Sequence, residues 1–403
     1  MLILLILTTI LGFAMAFSIG ANDVANSMAT AVGAKAITPK QAAFIAMFLE
    51  FAGALMFGAH VSKTIVKGIV KPDFIDKPEY FLYGALSALL ASTIWILVAT
   101  HWSMPISTTH SIVGGMMGFG IVAFGLKSIN WLTFLHIAVS WVISPFFGGL
   151  LSYITFKTIS SLILHANSPW KSAKRYAPLL ISIAIFVMFF LFFKKTLKMS
   201  LSISALYGFL IGAIGFIITF FSIKRMKNTD EYESVENVFK KAQIFTSCYV
   251  SFSHGANDVA NAAGPIAAVF IILETSTIPK EVEIPSLILM IGGIGISMGV
   301  LFMGYKVMRT VGESITYLTN TRGFAVDFST ATTVLLASVL GMPISTTHVV
   351  VGSVTGVGLA RGVETVNVGV LKNVVLSWIV TVPFTAGLSA LLFLVFKSIL
   401  NIA

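Results

Sequence analysis

Long apolar segments follow one another along almost the whole chain, and short polar breaks separate them. Most of the segments have close to the 20 residues that an α-helix needs to cross the hydrocarbon core of a bilayer. Helices satisfy their own backbone hydrogen bonds there, whereas open structures do not. We therefore expect an all-α integral membrane protein with about 12 transmembrane helices. The expected spans lie near residues 2–31, 41–58, 79–99, 104–126, 131–156, 178–193, 200–222, 244–273, 286–305, 325–341, 343–360 and 368–400.

The composition excludes a soluble protein. Of the 403 residues, 57% are hydrophobic and only 10% are charged, whereas soluble domains carry about 25% charged residues. The single cysteine, Cys248, cannot form an intrachain disulfide. The net charge of +10 comes from basic residues scattered singly or in pairs between the apolar segments. That pattern is typical of topology signals, so we expect the lipid bilayer as a partner and no nucleic acid.

Two heptapeptides occur twice, in the same order. GANDVAN stands at residues 20–26 and again at 255–261, and MPISTTH stands at residues 104–110 and again at 342–348. The two offsets, 235 and 238, are almost equal. Collinear repetition of this kind indicates a duplicated unit.

The two copies are expected to have opposite orientations, because seven crossings separate equivalent points and an odd number reverses the direction. We expect a first transmembrane repeat at 1–160, connecting spans at 161–223, a short cytoplasmic loop at 224–243 and a second, inverted repeat at 244–403. Polar residues interrupt the first and eighth spans, which predicts broken or re-entrant helices at the centre.

The arginines support this orientation. With the 224–243 loop in the cytoplasm, all five fall on the cytoplasmic side, as the positive-inside rule favours. Both termini are then extracellular, and the protein is expected in the plasma or inner membrane. The arginines concerned are Arg175, Arg225, Arg309, Arg322 and Arg361.

The GANDVAN motif places polar groups inside an apolar span. An aspartate at the bilayer centre costs about 2.5–3.5 kcal/mol on insertion scales. On a helix, Asn22, Asp23 and Asn26 share one face, and Gly20 allows the backbone to open or to approach a ligand closely. Two interpretations stay open: a polar seam that holds helices together, or a ligand site. Repetition of the whole set favours the ligand site.

The PISTTH motif combines features of an anion site. Pro105 and Pro343 suit the first turn of a helix, where backbone N–H groups are free and the helix dipole is positive. The hydroxyls that follow either cap the helix or bind an anion. His110 and His348 are either structural groups or proton carriers. The six hydroxyl residues are Ser107, Thr108, Thr109, Ser345, Thr346 and Thr347.

The two motifs conflict electrostatically unless a cation is present. At ~5 Å and an effective dielectric constant near 20, a carboxylate and an oxyanion repel each other by about 3–4 kcal/mol. Carboxylate, amide and hydroxyl oxygens suit a hard cation such as Na⁺. The sequence therefore indicates that anion binding depends on cation binding.

These duplicated motifs resemble the inorganic phosphate transporter (PiT) family of sodium– or proton–phosphate symporters. The resemblance covers nearly the whole chain, and it implies twelve spans in inverted repeats, a central phosphate site, cation symport and extracellular termini. It also implies Na⁺ ligation by Asp23, Asn26, Asp258 and Asn261 with nearby carbonyls. The phosphate contacts that it implies are Asn22, Asp23, Ser107, Thr108, Thr109, Asn257, Asp258, Ser345, Thr346 and Thr347.

Two further acids are candidate coupling or gating residues, as the two histidines are. The resemblance implies that Glu50 and Asp327 take part in transport, but neither acid is duplicated, since Ile296 stands opposite Glu50. The alternative is a pair of structural ion pairs at span ends, Asp327 with Arg322 and Glu50 with a lysine.

We expect a secondary transporter that imports inorganic phosphate by Na⁺ symport through alternating access, and neither an enzyme nor a protein with a cofactor. The chain has no Walker-type loop for ATP. One alternative is a membrane phosphohydrolase acting on lipid phosphates. Another is the same transporter acting on sulfate, arsenate or a metal–phosphate complex with H⁺ coupling. A homo-oligomeric state is left open.

Overall fold

The computed structural model describes residues 2–58, 69–75, 78–226, 230–275, 277, 284–339 and 344–399. Within these ranges the chain forms helices, and the one β-type contact is an isolated bridge between Val70 and Ile129. The fold is therefore all-α, as the sequence predicts.

Fourteen α-helices are found in the described ranges. Short 3-10 or π turns join or extend several of them. The α-helices are α1 Leu2–Asp23, α2 Ala25–Gly33, α3 Pro39–Phe57, α4 Pro78–His101, α5 Thr108–Phe124, α6 Trp131–Ile159, α7 Pro169–Lys195, α8 Leu201–Arg225, α9 Glu231–Thr275, α10 Ser286–Met303, α11 Tyr305–Arg309, α12 Asn320–Val339, α13 Thr346–Leu359 and α14 Val368–Ile399.

Each of the twelve predicted spans coincides with one of these helices or with the consecutive pair α1 and α2. In the described part of the chain, nine helical segments are long and apolar enough to cross a membrane, with α1 and α2 counted as one. The remaining three are α5 and α13, which are apolar but shorter, and α12, which is more polar. A multi-pass membrane protein is confirmed, whereas the number of twelve crossings stays a prediction.

Only one of the two candidate broken helices is interrupted. Val24 separates α1 from α2 with right-handed torsion angles (φ −56°, ψ −24°), so the chain keeps its direction there. The second GANDVAN copy lies inside α9, which runs for 45 residues without a break although it contains Pro265.

Most of the expected cytoplasmic loop is helical. The helix α8 continues to Arg225, and α9 begins as early as Glu231. Asp230 caps α9, because its Oδ1 accepts a hydrogen bond from the backbone N–H of Glu233 at 2.8 Å. Glu231 and Glu233 in the first turn complement the positive end of the helix dipole. A polar stretch that we assigned to a loop therefore extends a membrane helix.

The two copies of the duplicated unit pack into each other. In the first copy, α1 packs on α10 of the second copy, and in the second copy α9 packs on α3 of the first. The same exchange relates the α5–α14 pair to the α6–α13 pair. Likewise, α4 packs on α1, α5 and α14, as α12 packs on α9, α13 and α6. Exchange of the halves leaves the pattern unchanged, which is what a two-fold axis between them would produce.

Glycines allow the closest of these crossings. A side chain at Gly20 would collide with the backbone carbonyl of Ile296, and a side chain at Gly255 would collide with that of Glu50. Because backbone atoms cannot move aside as a flexible side chain does, both positions require glycine. The helices α7 and α8 pack mainly on each other and have no counterpart in the duplication.

Candidate functional site

The carboxylate of Asp23, at the end of α1, is the centre of the site. Its Oδ2 accepts a hydrogen bond from the hydroxyl of Thr108 at 2.8 Å. Its Oδ1 accepts one from the hydroxyl of Thr347 at 3.3 Å and one from the amide of Asn26 at 3.1 Å. Asp23 is 1% exposed. The two threonines belong to different PISTTH copies, so this single carboxylate joins both halves of the duplication.

Asn26 extends the same network on α2. Its Nδ2 also donates to the hydroxyls of Thr346 at 3.3 Å and Thr347 at 3.0 Å. The single hydroxyl proton of Thr347 is shared between Asp23 and the backbone carbonyl of Ile106, whose oxygen lies 3.1 Å from Oγ1. The first GANDVAN copy and the second PISTTH copy are therefore in direct contact, although about 320 residues separate them in sequence.

Asn22 is hydrogen-bonded to α4 and to the segment between α4 and α5. Its Nδ2 donates to Thr100 Oγ1 at 2.9 Å and to the carbonyl of Met104 at 3.0 Å, and its Oδ1 accepts from the backbone N–H of Ile106 at 3.1 Å. Both ends of the amide are engaged with the segment that leads into α5. Asn22 thus holds this segment in place, and its contact with phosphate stays a prediction.

The serines cap their helices. Ser107 precedes α5 and accepts from the backbone N–H of His110, and Ser345 precedes α13 and accepts from that of His348. Our prediction that Pro105 lies in the first turn is wrong, because it precedes the capping serine by two residues. The equivalent Pro343 lies outside the described residues.

The hydroxyls therefore divide into two groups. The serines satisfy their own helix N-termini, as the capping interpretation holds, whereas Thr108, Thr346 and Thr347 reach across to the GANDVAN motif. Thr109 is half-buried, and none of the hydrogen bonds among described residues joins it to the predicted site.

The second GANDVAN copy has different partners. Asp258 Oδ2 lies 2.5 Å from Nε2 of His254, one turn earlier on α9. Asn257 accepts a hydrogen bond from Lys195 Nζ at 2.9 Å. Asn261 is buried one turn beyond on the same helix, but no hydrogen bond among the described residues links it to the predicted site. Sequence identity between the copies did not produce identical contacts.

His254 is a site residue that the sequence reasoning missed. Its ring nitrogens lie 3.3 Å from Glu50 Oε2 and 3.8 Å from Asp23 Oδ2, in addition to the contact with Asp258. These are ion-pair distances without hydrogen-bond geometry. The signal was available, because the residue before GANDVAN is Ile19 in the first copy and a histidine in the second.

Three of these groups have the arrangement of a cation site. One ligand atom from each of Asp23, His254 and Asp258 lies within 4.8 Å of the others, and all three side chains are buried. Two carboxylates beside amide and hydroxyl oxygens are the donors that hard cations prefer. A cation or a protonated imidazole at this place would offset the repulsion between the carboxylates.

Glu50 and Asp327 are both buried, and neither forms the ion pair that we considered as an alternative. Glu50 is next to His254, and its Oε1 accepts from Ser27 and Ser251 at 3.4 Å each. No lysine pairs with it among the described residues. Glu50 therefore belongs, through His254, to the central cluster of Asp23, His254 and Asp258.

Asp327 accepts three hydroxyl hydrogen bonds. They come from Thr30 at 2.6 Å, Ser247 at 2.6 Å and Thr246 at 3.2 Å. Arg322 instead donates to the backbone carbonyl of Tyr317 at 3.1 Å. The structural ion pair that we considered for Asp327 is therefore wrong in the described structure, and the acid lies on α12 against α2 and α9.

His110 and His348, in the first turns of α5 and α13, contact each other. Their ring centroids are 4.5 Å apart, and each ring also packs on an indole at 3.6 Å, His110 on Trp141 and His348 on Trp378. His348 Nδ1 lies 3.0 Å from the carbonyl of Trp141. The pair thus fastens the two PISTTH helices together directly behind the threonines.

A cavity of about 20 Å³ lies next to His254 and Asn26. Such a volume is about that of one water molecule. Polar residues from both GANDVAN copies and from the second PISTTH copy take part in its lining. Those residues are Asn26, Asn257 and Thr346, and Ser253, His254 and Thr330 line the cavity with them.

Comparison with known proteins identifies relatives of the whole chain. The model of the phosphate transporter family matches residues 19–389. A proposed phosphate permease of Pyrococcus horikoshii is 50% identical over 392 residues, which cover 96% of this chain and 97% of that protein. The chloroplast inorganic phosphate transporter of Arabidopsis thaliana is 39% identical, covering 98% of this chain and 72% of that one. A solved structure titled "The sodium-dependent phosphate transporter" is 64% identical with a TM-score of 0.91, covering 98% of this chain and 99% of that chain.

Proposed function

The chain belongs to the phosphate transporter family, and from that premise we propose that it imports inorganic phosphate together with Na⁺ by alternating access. The members of this family are transporters and not enzymes, which excludes the lipid-phosphate phosphohydrolase. Na⁺ is our choice of coupling ion because the solved relative at 64% identity is sodium-dependent by its title.

One observation carries the proposal: threonine hydroxyls at two helix N-termini donate to the same buried carboxylate, that of Asp23. A phosphate oxygen and a carboxylate oxygen accept the same donors. Asp23 therefore uses the hydroxyls that the phosphate needs. In our proposal, phosphate takes over the hydroxyls of Thr108 and Thr347 when Asp23 turns to a cation.

The cation makes this exchange favourable. A phosphate placed ~5 Å from an unscreened carboxylate is opposed by about 3–4 kcal/mol. Na⁺ held by Asp23 and Asp258, with Asn26 and Asn261, would cancel this repulsion and draw Asp23 away from the threonines. Coupling then follows because Asp23 binds either the threonine hydroxyls or Na⁺. Phosphate gains the hydroxyls only when Na⁺ holds Asp23, so phosphate and Na⁺ each bind well only in the presence of the other.

The acids outside the centre extend the path for cations in this proposal. Glu50 touches the cluster through His254, while Asp327 lies farther along α2 and α9 through Thr30 and Ser247. Hydroxyls that solvate a buried carboxylate also suit a hard cation in transit. We assign both acids to cation coupling or gating.

The reciprocal packing of the two halves supports alternating access. Two halves related by exchange can rock about a site that lies between them, as inverted-repeat transporters do. We place both termini outside the cell, as the arginine distribution favours. His110 and His348 lie at the contact between α5 and α13. In this proposal, that contact is a hinge about which the two halves rotate.

Uptake into liposomes tests the proposal. We expect purified protein to accumulate radiolabelled phosphate when Na⁺ is imposed outside, and to lose this uptake when Na⁺ is equal on both sides. A proton gradient without Na⁺ should drive little uptake. Uptake driven by protons alone would refute Na⁺ coupling, and stronger inhibition by sulfate or arsenate than by phosphate would change the substrate.

Substitutions test the site itself. Thr108→Ala and Thr347→Ala should each raise the KM for phosphate by about tenfold, because each removes a hydroxyl donor to a charged group. Thr355→Ala is the matched control, since this threonine lies on α13 and donates only to the backbone carbonyl of Val351. Equal effects of all three substitutions would contradict the proposed phosphate site.

A further inference from the structure

Lys195 is the last residue of α7, a helix outside the duplicated unit. Its ammonium donates to Oδ1 of Asn257 at 2.9 Å. By the duplication, Asn257 is equivalent to Asn22, but Asn22 binds Thr100, Met104 and Ile106 of its own repeat. The second copy thus has a cation where the first copy has neutral groups.

An ammonium group determines which way the asparagine amide faces. Lysine has three N–H donors and no acceptor, so the amide must turn its oxygen toward Lys195. The NH₂ group of Asn257 then faces away from the lysine. Asn257 also lines the 20 Å³ cavity together with Asn26, His254 and Thr346, whereas Lys195 does not line it.

We propose that Lys195 is a positioning residue for the transported anion, which orients Asn257 so that its NH₂ group donates to a phosphate oxygen. The inference rests on the proposed function, since it names a determinant of the same site. Asparagine without such a partner can turn its oxygen toward the cavity and repel an anion. The lysine excludes that orientation without entering the cavity.

The positive charge has a second effect. A hydrogen bond from a cation polarises the amide, and a polarised amide is a stronger donor on its other side. Asn257, to which the ammonium donates, is followed directly by Asp258 on α9. Lys195 therefore adds positive charge to the one side of the site where two carboxylates, Asp258 and Asp23, approach each other through His254.

The test compares the KM for phosphate among lysine variants in liposomes under a fixed inward Na⁺ gradient. Lys195→Met keeps the aliphatic chain and removes the donor, and it should raise the KM by about tenfold with little change in kcat. Lys195→Arg, which also only donates, should restore most of the affinity. Lys194→Met is the matched control, because Lys194 is directed at the carbonyl of Met199, and its KM should stay within twofold of the wild type.

A double-variant cycle shows whether the lysine acts through Asn257. If it does, Lys195→Met should add little to the KM of Asn257→Ala, since the residue to be oriented is gone. Independent, multiplying effects of the two substitutions would overturn the inference, as would an unchanged KM in Lys195→Met or a failure of arginine to restore affinity.

The wild-type protein separates this inference from its premise. If wild-type liposomes show no Na⁺-driven phosphate uptake, the proposed function fails before any variant is measured. If wild-type uptake is normal and Lys195→Met behaves like Lys194→Met, only the assignment of Lys195 fails.

Discussion

Two equivalent helix crossings in this protein have the same backbone geometry and opposite chemistry. Where α1 crosses α10, Gly20 lies on the carbonyl of Ile296, and where α9 crosses α3, Gly255 lies on that of Glu50. Ile19 and Ile296 at the first crossing are both fully buried. At the second crossing the equivalent residues are His254 and Glu50, both buried, and Nδ1 of His254 lies 3.3 Å from Oε2 of Glu50, which is an ion-pair distance when the imidazole is protonated.

The duplication therefore preserved the backbone geometry of the crossing more strictly than its charged residues. A glycine in a tight crossing cannot change without moving the backbone, whereas the residue beside it can become polar if its partner changes too. The surroundings of Asp327 follow the same rule. Its partners Thr246 and Ser247 on α9 correspond to Leu11 and Gly12 on α1. Buried charge is thus concentrated around α9, and the equivalent places around α1 are apolar.

The largest expected effect comes from making the polar crossing resemble the apolar one. His254→Ile removes the buried imidazole that lies 3.3 Å from the Glu50 carboxylate. Loss of one partner from such a buried pair should lower the free energy of unfolding by about 3–5 kcal/mol. The double variant His254→Ile with Glu50→Ile should recover most of this loss, because it recreates the isoleucine pair of the other crossing. Thermal unfolding in detergent measures both.

Two outcomes decide this prediction. A double variant no more stable than His254→Ile would show that the crossings are not interchangeable. Phosphate uptake by the double variant at the wild-type rate would show that the ion pair is dispensable for transport. Ile19→Leu is the control at the apolar crossing and should cost less than about 1.5 kcal/mol.

The two aspartates of the GANDVAN copies should differ in the next largest effect. Asp23 accepts three hydrogen bonds from both halves, whereas the contact of Asp258 is with His254 alone among the described residues. Asp23→Asn should therefore reduce phosphate uptake at low Na⁺ by about a hundredfold and Asp258→Asn by about tenfold. The Na⁺ dependence of phosphate uptake, from low to saturating concentration, gives both values.

Equal losses of phosphate uptake in these two variants would mean that the different contacts of Asp23 and Asp258 do not affect transport. Wild-type Na⁺ dependence in both variants would remove the aspartates from the coupling mechanism. Either variant should still insert in the membrane, since an amide is easier to bury than a carboxylate, and the amount of protein in purified membranes checks this.

The smallest expected effect tests a place where the halves are alike. Ser107 and Ser345 cap α5 and α13 in the same way. Serine-to-alanine substitution at either position should lower stability by about 1 kcal/mol, and the two values should agree within a few tenths. A tenfold rise of the KM for phosphate in either variant would instead show that the serine contacts phosphate.

The sequence predicted the helical segments well because hydrophobic length alone marks a membrane helix. It also marked Asp23, Asn26 and the threonines, because a repeated polar motif in apolar surroundings requires a reason. It did not mark Lys195, since an isolated lysine near a span end is typical of a topology signal. His254 was missed although the sequence offered a signal, the change from Ile19 in the first copy to a histidine in the second. It misassigned residues 231–243 to a loop, because charged residues also fit a helix that projects beyond the bilayer.

The order of apolar segments in the sequence determined the class of the protein. The two repeated motifs determined the residue types of its site. Only the tertiary structure decided which copy of each motif meets which. Asp23 contacts threonines from both repeats, and Asn257 contacts a lysine from neither. The reason is geometric: identical heptapeptides have identical local preferences, but their neighbours come from helices far away in sequence, and some of those neighbours, such as Lys195, are not repeated.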